Sequence, residues 1–133
     1  MTGDEHATRV RPFLSNYERA RLDGLSPGSK KRVKLLHRLC HGYEEALDWR
    51  LASGVVPGTP AEVARRMEAR GAGSTCYVLC NVDEWDGREV PLIDALAALA
   101  GGGLPVLLVS GPVAYFEPEY VAGPAKRFIL QRA

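Results

Sequence analysis

The spacing of apolar positions changes period partway along the chain. Between residues 33 and 51, Val33, Leu36, Cys40, Tyr43, Leu47 and Leu51 fall on one arc when successive residues are turned by 100°. That pattern predicts a single amphipathic helix of roughly 22 residues. Gly54 is its natural stop, because glycine accepts the left-handed conformation beyond a helix end. Upstream, Phe13, Tyr17 and Leu22 have loose helical spacing and predict a short first helix, and residues 1–11 read as a polar tail. "DGLSPGS" is turn chemistry, with Pro27 fixing one backbone angle and Gly28 freeing the next. "TPAEVARRMEARG" carries a complete helix signature. Thr59 caps, Pro60 takes the first position, Glu62 closes a capping box, Val63 and Met67 form the apolar face, and Gly71 ends the helix.

From residue 72 onward the apolar runs become short and continuous, as in buried strands. "STCYVLCNV" predicts a strand, "DEWDGRE" a loop, and "PLIDALAALAGGG" a helix opened by proline and closed by three glycines. "LPVLLVS" is wholly apolar, which suits a central strand, and "GPVAYFE" and "AKRFILQ" are two more strands joined by "PEYVAGP". A strand–helix–strand succession is expected to make a right-handed parallel crossover, and the last strands an antiparallel meander. The predicted fold class is α+β: an N-terminal layer of two to three helices packed on a mixed four-stranded sheet, with one β-α-β crossover and a C-terminal antiparallel meander. Residues 12–133 form one domain in this reading, helical over 12–71 and sheet over 72–133.

Composition narrows the classes. A chain of 133 residues can bury a core without covalent staples. The formal net charge of +1 gives no global field to draw in nucleic acid or an anionic membrane. Three cysteines cannot complete a disulfide framework and suit a reducing compartment. No apolar run approaches the roughly 18 residues of a membrane span, and "MTGDEHATRVRPFL" lacks the apolar segment of a secretory signal. The expected location is cytoplasmic, and the Ala-, Arg- and Gly-rich usage suits a bacterial chain from a high-GC genome.

Candidate chemistry concentrates in "KLLHRLCHGYEEALDW". On one continuous helix, His37, His41, Glu44 and Asp48 form a stripe about 60° wide at the edge of the apolar arc. Histidines at i and i+4 can share a metal ion, and Glu44 could add an oxygen ligand. Cys76 and Cys80, evenly spaced on a strand, point to one sheet face; a helix packed there would bring them to His37 and His41 as a mixed site. The same stripe could serve as an acid–base pair, since histidine titrates near neutrality. Against both stand simpler roles: helix ion pairs, half-buried rings, and cysteines acting as small apolar residues. No nucleophile elbow accompanies the stripe, and no cofactor is implied.

"SPGSKKRVK" sets Ser29, Lys30, Lys31, Arg32 and Lys34 at a helix start, where cations oppose the macrodipole. A phosphate, a nucleic-acid backbone or an acidic protein face would relieve that repulsion; a solvated charge run is the plain alternative. The loop "NVDEWDGRE" gathers Asp83, Glu84, Asp86 and Glu89 around Trp85 as candidate cation ligands or as acidic surface. Tyr115, Phe116 and Tyr120, together with Trp85, are candidate interface aromatics, with Tyr115 and Phe116 on opposite sheet faces. The expected function is a small binding or regulatory module acting through protein contacts, with no catalytic signature that the sequence defends. A metal-binding protein or hydrolase-like enzyme built on His37, His41 and Glu44 is the first alternative. A phosphate or nucleic-acid binder using residues 29–38 is the second. The sequence implies no oligomeric state.

Overall fold

The computed structural model describes residues 1–55, 58–120 and 126–132. Among these residues six α-helices and six strands follow in the order α1 (Gly3–Val10), α2 (Asn16–Arg19), α3 (Lys30–His41), α4 (Tyr43–Ala46), β1 (Ala52–Gly54), α5 (Pro60–Glu68), β2 (Thr75–Cys80), β3 (Glu89–Pro91), α6 (Leu92–Leu99), β4 (Val106–Ser110), β5 (Val113–Glu117) and β6 (Phe128–Gln131). The strands form one sheet in the order β1-β6-β5-β4-β2-β3, and every neighbouring pair is antiparallel. The α+β class stands, but the sheet is neither four-stranded nor mixed.

The expected parallel crossover fails for a topological reason. Three residues after the acidic loop, Glu89–Pro91, run back along β2 with Thr75 opposite Pro91 and Tyr77 opposite Glu89. This return reverses the chain once more before α6. The strand after α6 therefore runs opposite to β2, pairing Tyr77 with Val109 and Cys80 with Val106. The expected meander is present: β4, β5 and β6 are sequential antiparallel neighbours, and β4, buried along its whole length, lies inside the sheet. The loop "PEYVAGP" and the segment "VVPG" fall partly outside the described residues.

Strand alternation divides the core between two faces. Tyr77, Leu79, Leu107, Val109, Ala114, Phe116 and Leu130 face one side, where Ala7, Val10, Phe13, Leu35, Leu39 and Leu47 cover them. Cys76, Val78, Cys80, Leu108, Tyr115 and Ile129 face the other, under Val63 and Met67 of α5 and Leu92 and Leu96 of α6. Helices thus lie on both faces rather than in one N-terminal layer. Edge strand β1, paired with β6, stands in the chain between α4 on one face and α5 on the other.

Two local expectations are corrected on the first of these faces. Residues 3–10 are a helix, not a tail: the Thr2 side chain accepts from Glu5 N, and His6, Ala7 and Val10 are buried. With a histidine at one of its inward positions, so short a helix shows no apolar stripe. The long helix is also interrupted. Gly42 (φ −155°, ψ 45°) ends α3, and its N–H donates to Arg38 O at 2.7 Å. The inward residues of α3 are Arg32, Leu35, Leu36 and Leu39, while Val33 is 57% exposed. The buried arc is therefore turned away from the one the spacing predicts. The α5 signature holds in full: Thr59 Oγ1 accepts from Glu62 N at 3.2 Å, and Glu62 returns the bond to Thr59 N. Among the described residues no helix is long and apolar enough to cross a membrane.

Candidate functional site

The two ends of α3 carry different chemistry. At its start the Ser29 hydroxyl caps the helix by accepting from Arg32 N, and Lys30, Lys31 and Lys34 are exposed. Arg32 does not join them. Its side chain is fully buried, with Nε and Nη2 bonded to the two Asp86 oxygens at 2.8 and 2.6 Å. Nη1 donates to Leu25 O and to the Tyr77 hydroxyl, and Nη2 also donates to Val78 O. Burial alone would lower its pKa; bonding to Asp86 and Tyr77 outweighs that and raises it. The five-residue cluster read as an anion site thus loses Arg32 to the interior. Asp86 likewise leaves the candidate cation loop, because it also accepts from Cys80 N at 3.0 Å.

The network continues to His6, whose Nδ1 lies 2.7 Å from the Tyr77 hydroxyl. That oxygen accepts from Arg32 and has one proton to give, an arrangement that suits a neutral His6 ring with Nδ1 as the acceptor. Burial first, then the Arg32 charge, hold His6 below its ordinary value. Gly87 (φ 77°) lets the β2–β3 loop approach Pro27 and His6 closely; a Cβ there would collide with Pro27. Every partner of this network is within the chain, and it ties α1 and α3 to the β2–β3 hairpin.

The C-terminal half of α3 is open. Because the buried face centres on Leu35 and Leu39, His37 and His41 lie on the far side of the helix, exposed, with ring centroids 4.5 Å apart. They line a cleft of about 450 Å³ with Tyr17, Glu18, Arg38, Gly42, Glu45 and Ala46. Its lining contains an ion pair between half-buried Arg38 and buried Glu18, the carboxylate accepting from Arg38 Nε and Nη2 at 2.5 and 2.7 Å. A second hollow of about 330 Å³ adjoins, lined by Tyr17, Ala20, Arg21, Lys31, Lys34 and Arg38. Tyr17 and Arg38 border both. Tyr17 is 56% exposed, and the Arg21 guanidinium lies 3.6 Å from its ring centroid.

The stripe of four does not survive the break at Gly42. Glu44 lies in the short helix α4 and is exposed. Asp48 is paired with Arg50 at 2.9 and 3.0 Å, and those bonds hold its carboxyl below the usual range. Cys76 and Cys80 share a sheet face, as spacing predicts, but it is the face covered by α5 and α6, across the sheet from both histidines. Burial pushes their thiols up to about 12 and about 11. Cys40 has another neighbourhood. Its thiol donates to the Glu119 carboxylate in the chain after β5, and burial and that bond push it up to about 11. Ligand atoms of Cys40, His41 and Glu119 lie within 4.8 Å of one another. No pattern in the sequence marks Glu119; only the fold brings it there.

The interface aromatics divide. Tyr115 and Phe116 are fully buried on opposite faces, because β5 lies between two strands with helices above and below. The Tyr115 hydroxyl donates to the buried Glu117 carboxylate at 2.6 Å. Trp85 is half-buried against the α5/α6 side of the core, and Tyr120 donates its hydroxyl to Gly101 O at 2.8 Å. Tyr17, read from its spacing as part of a short first helix, is exposed beside basic side chains.

Comparison of the sequence with protein-family models and with curated proteins, and of the fold with solved structures, finds no match.

Proposed function

We propose that the chain is a small binding module that receives an acidic segment of a partner protein on the face made by α2 and the exposed side of α3. The carrying observation is Tyr17, exposed on the shared border of two hollows, the second ringed by Arg21, Lys31, Lys34 and Arg38. Exposed tyrosine and arginine are the side chains that most often anchor protein interfaces. Local basicity on a chain of net charge +1 favours a short acidic element over a long polyanion. A cytoplasmic setting and action as one domain belong to the same reading, the former supported by free thiols at all three cysteines.

The test is an NMR titration with a glutamate-rich peptide at low salt. Amide shifts centred on Tyr17, Arg21, Lys31 and Lys34, fading as salt rises and lost in Tyr17→Ala/Lys34→Glu, are the expected result. Shifts elsewhere, or a response to single-stranded nucleic acid but not to the peptide, would overturn it.

A further inference from the structure

We propose that Cys40, His41 and Glu119 bind one divalent transition-metal ion, zinc by ligand chemistry, where the end of α3 meets the chain following β5. The donor set is one sulfur, one imidazole nitrogen and one carboxylate oxygen, the three ligand types found around zinc. A tetrahedral zinc site sets its ligand atoms about 3.5 Å apart, given bonds of about 2.0–2.3 Å. The three present lie within 4.8 Å of one another, so side-chain adjustments of about 1 Å complete the triangle. The hydrogen bond from Cys40 to Glu119 joins residues 79 positions apart, so folding, not local sequence, has aligned two of the ligands. An ion entering there takes the place of the proton they share.

The surroundings suit a cation. A hollow of about 320 Å³, lined by Cys40, His41, Gly42, Tyr43, Glu44 and Glu45, borders two of the three ligands and gives space for a fourth. Water can fill that position. Charge balances without a redox step: the ion displaces one proton from the thiol to solvent, and thiolate and carboxylate together neutralise the two positive charges, with imidazole neutral. His37 packs edgewise on His41 beside the site. Cys76 and Cys80, across the sheet, take no part. This inference does not depend on the docking reading, because metal binding is measured on the chain alone.

The experiment is a Co²⁺ titration of the full chain after treatment with chelator. The expected result is a one-to-one complex with a thiolate-to-cobalt charge-transfer band in the near ultraviolet, abolished by stoichiometric Zn²⁺. Cys40→Ser removes the band, and Glu119→Gln weakens binding about 10-fold or more. Glu119 is exposed, so that variant tests the site even if Cys40→Ser fails to fold. Absence of a charge-transfer band in the wild-type chain overturns the proposal. So does a band that persists in Cys40→Ser, or affinity unchanged in Glu119→Gln.

Discussion

Helix α3 holds two clusters of similar side chains that meet opposite fates. At its start Arg32, Tyr77 and His6 are buried, with Asp86 half-buried beside them: the guanidinium reaches two carboxylate oxygens, a hydroxyl and two carbonyls, and the hydroxyl in turn meets an imidazole. At its end Cys40, His37, His41 and Glu119 are exposed or half-buried, and their groups meet open space as much as one another. Burial turns polar groups into structure, because each must be matched before water is lost. Exposure leaves them free for something outside the chain. Residue type alone does not separate the two, since each cluster contains a histidine and a carboxylate.

The strongest way to break the comparison is to remove Arg32. Arg32→Met leaves Asp86 with an uncompensated charge beside the core, where breaking a buried pair typically costs about 3–5 kcal/mol. Urea unfolding should show that loss as a lower midpoint. Arg32→Met/Asp86→Asn should recover part of it, because the orphaned charge goes too. A loss under about 1 kcal/mol for the single variant would mean that the network is not structural.

A smaller effect comes from His6. Its ring meets the Tyr77 hydroxyl, and its native pKa is lowered from the ordinary 6.5 by burial, then Arg32 and the N-terminal amine, with Asp86 and Glu5 opposing. Between 6.5 and the lower native value the unfolded chain binds the proton more readily. Stability should therefore fall as pH drops through that window and level off below it. His6→Gln, which cannot titrate, should flatten that part of the profile. A wild-type urea midpoint that does not change across the window would remove His6 as a neutral acceptor.

Much of this arrangement was legible in the sequence, and what was not has physical causes. Strands β2, β4, β5 and β6 announce themselves because strands covered on both faces are nearly continuous in apolar residues. Strands β1 and β3 do not: each is three residues at a sheet edge, too short for alternation to register. Missing β3 was enough to convert an antiparallel connection into an expected parallel crossover. The inward turn of α3 was hidden because an arginine occupies an inward position beside Leu35, Leu36 and Leu39. A charged residue at that spacing is itself a signal for a buried ion pair, although its partner Asp86, 54 residues away, carries none. For the candidate metal ligands, the helix supplied Cys40 and His41 in plain view, whereas Glu119 became relevant only through tertiary proximity.

The smallest expected effect sharpens the comparison from the other side. His37 is exposed on the far face of α3, and its contact is the edge of His41 across one helical turn. Surface substitutions of that kind usually change stability by no more than about 0.5 kcal/mol. Alanine also favours the helix, which offsets part of any lost ring contact. His37→Ala should therefore unfold in urea within about 0.5 kcal/mol of the wild type, while Arg32→Met, five positions earlier on the same helix, should not. A loss above about 1 kcal/mol would show that the His37–His41 pair supports the end of α3 at Gly42. The exposed cluster would then be structural as well, and the distinction between the two ends of the helix would be one of degree.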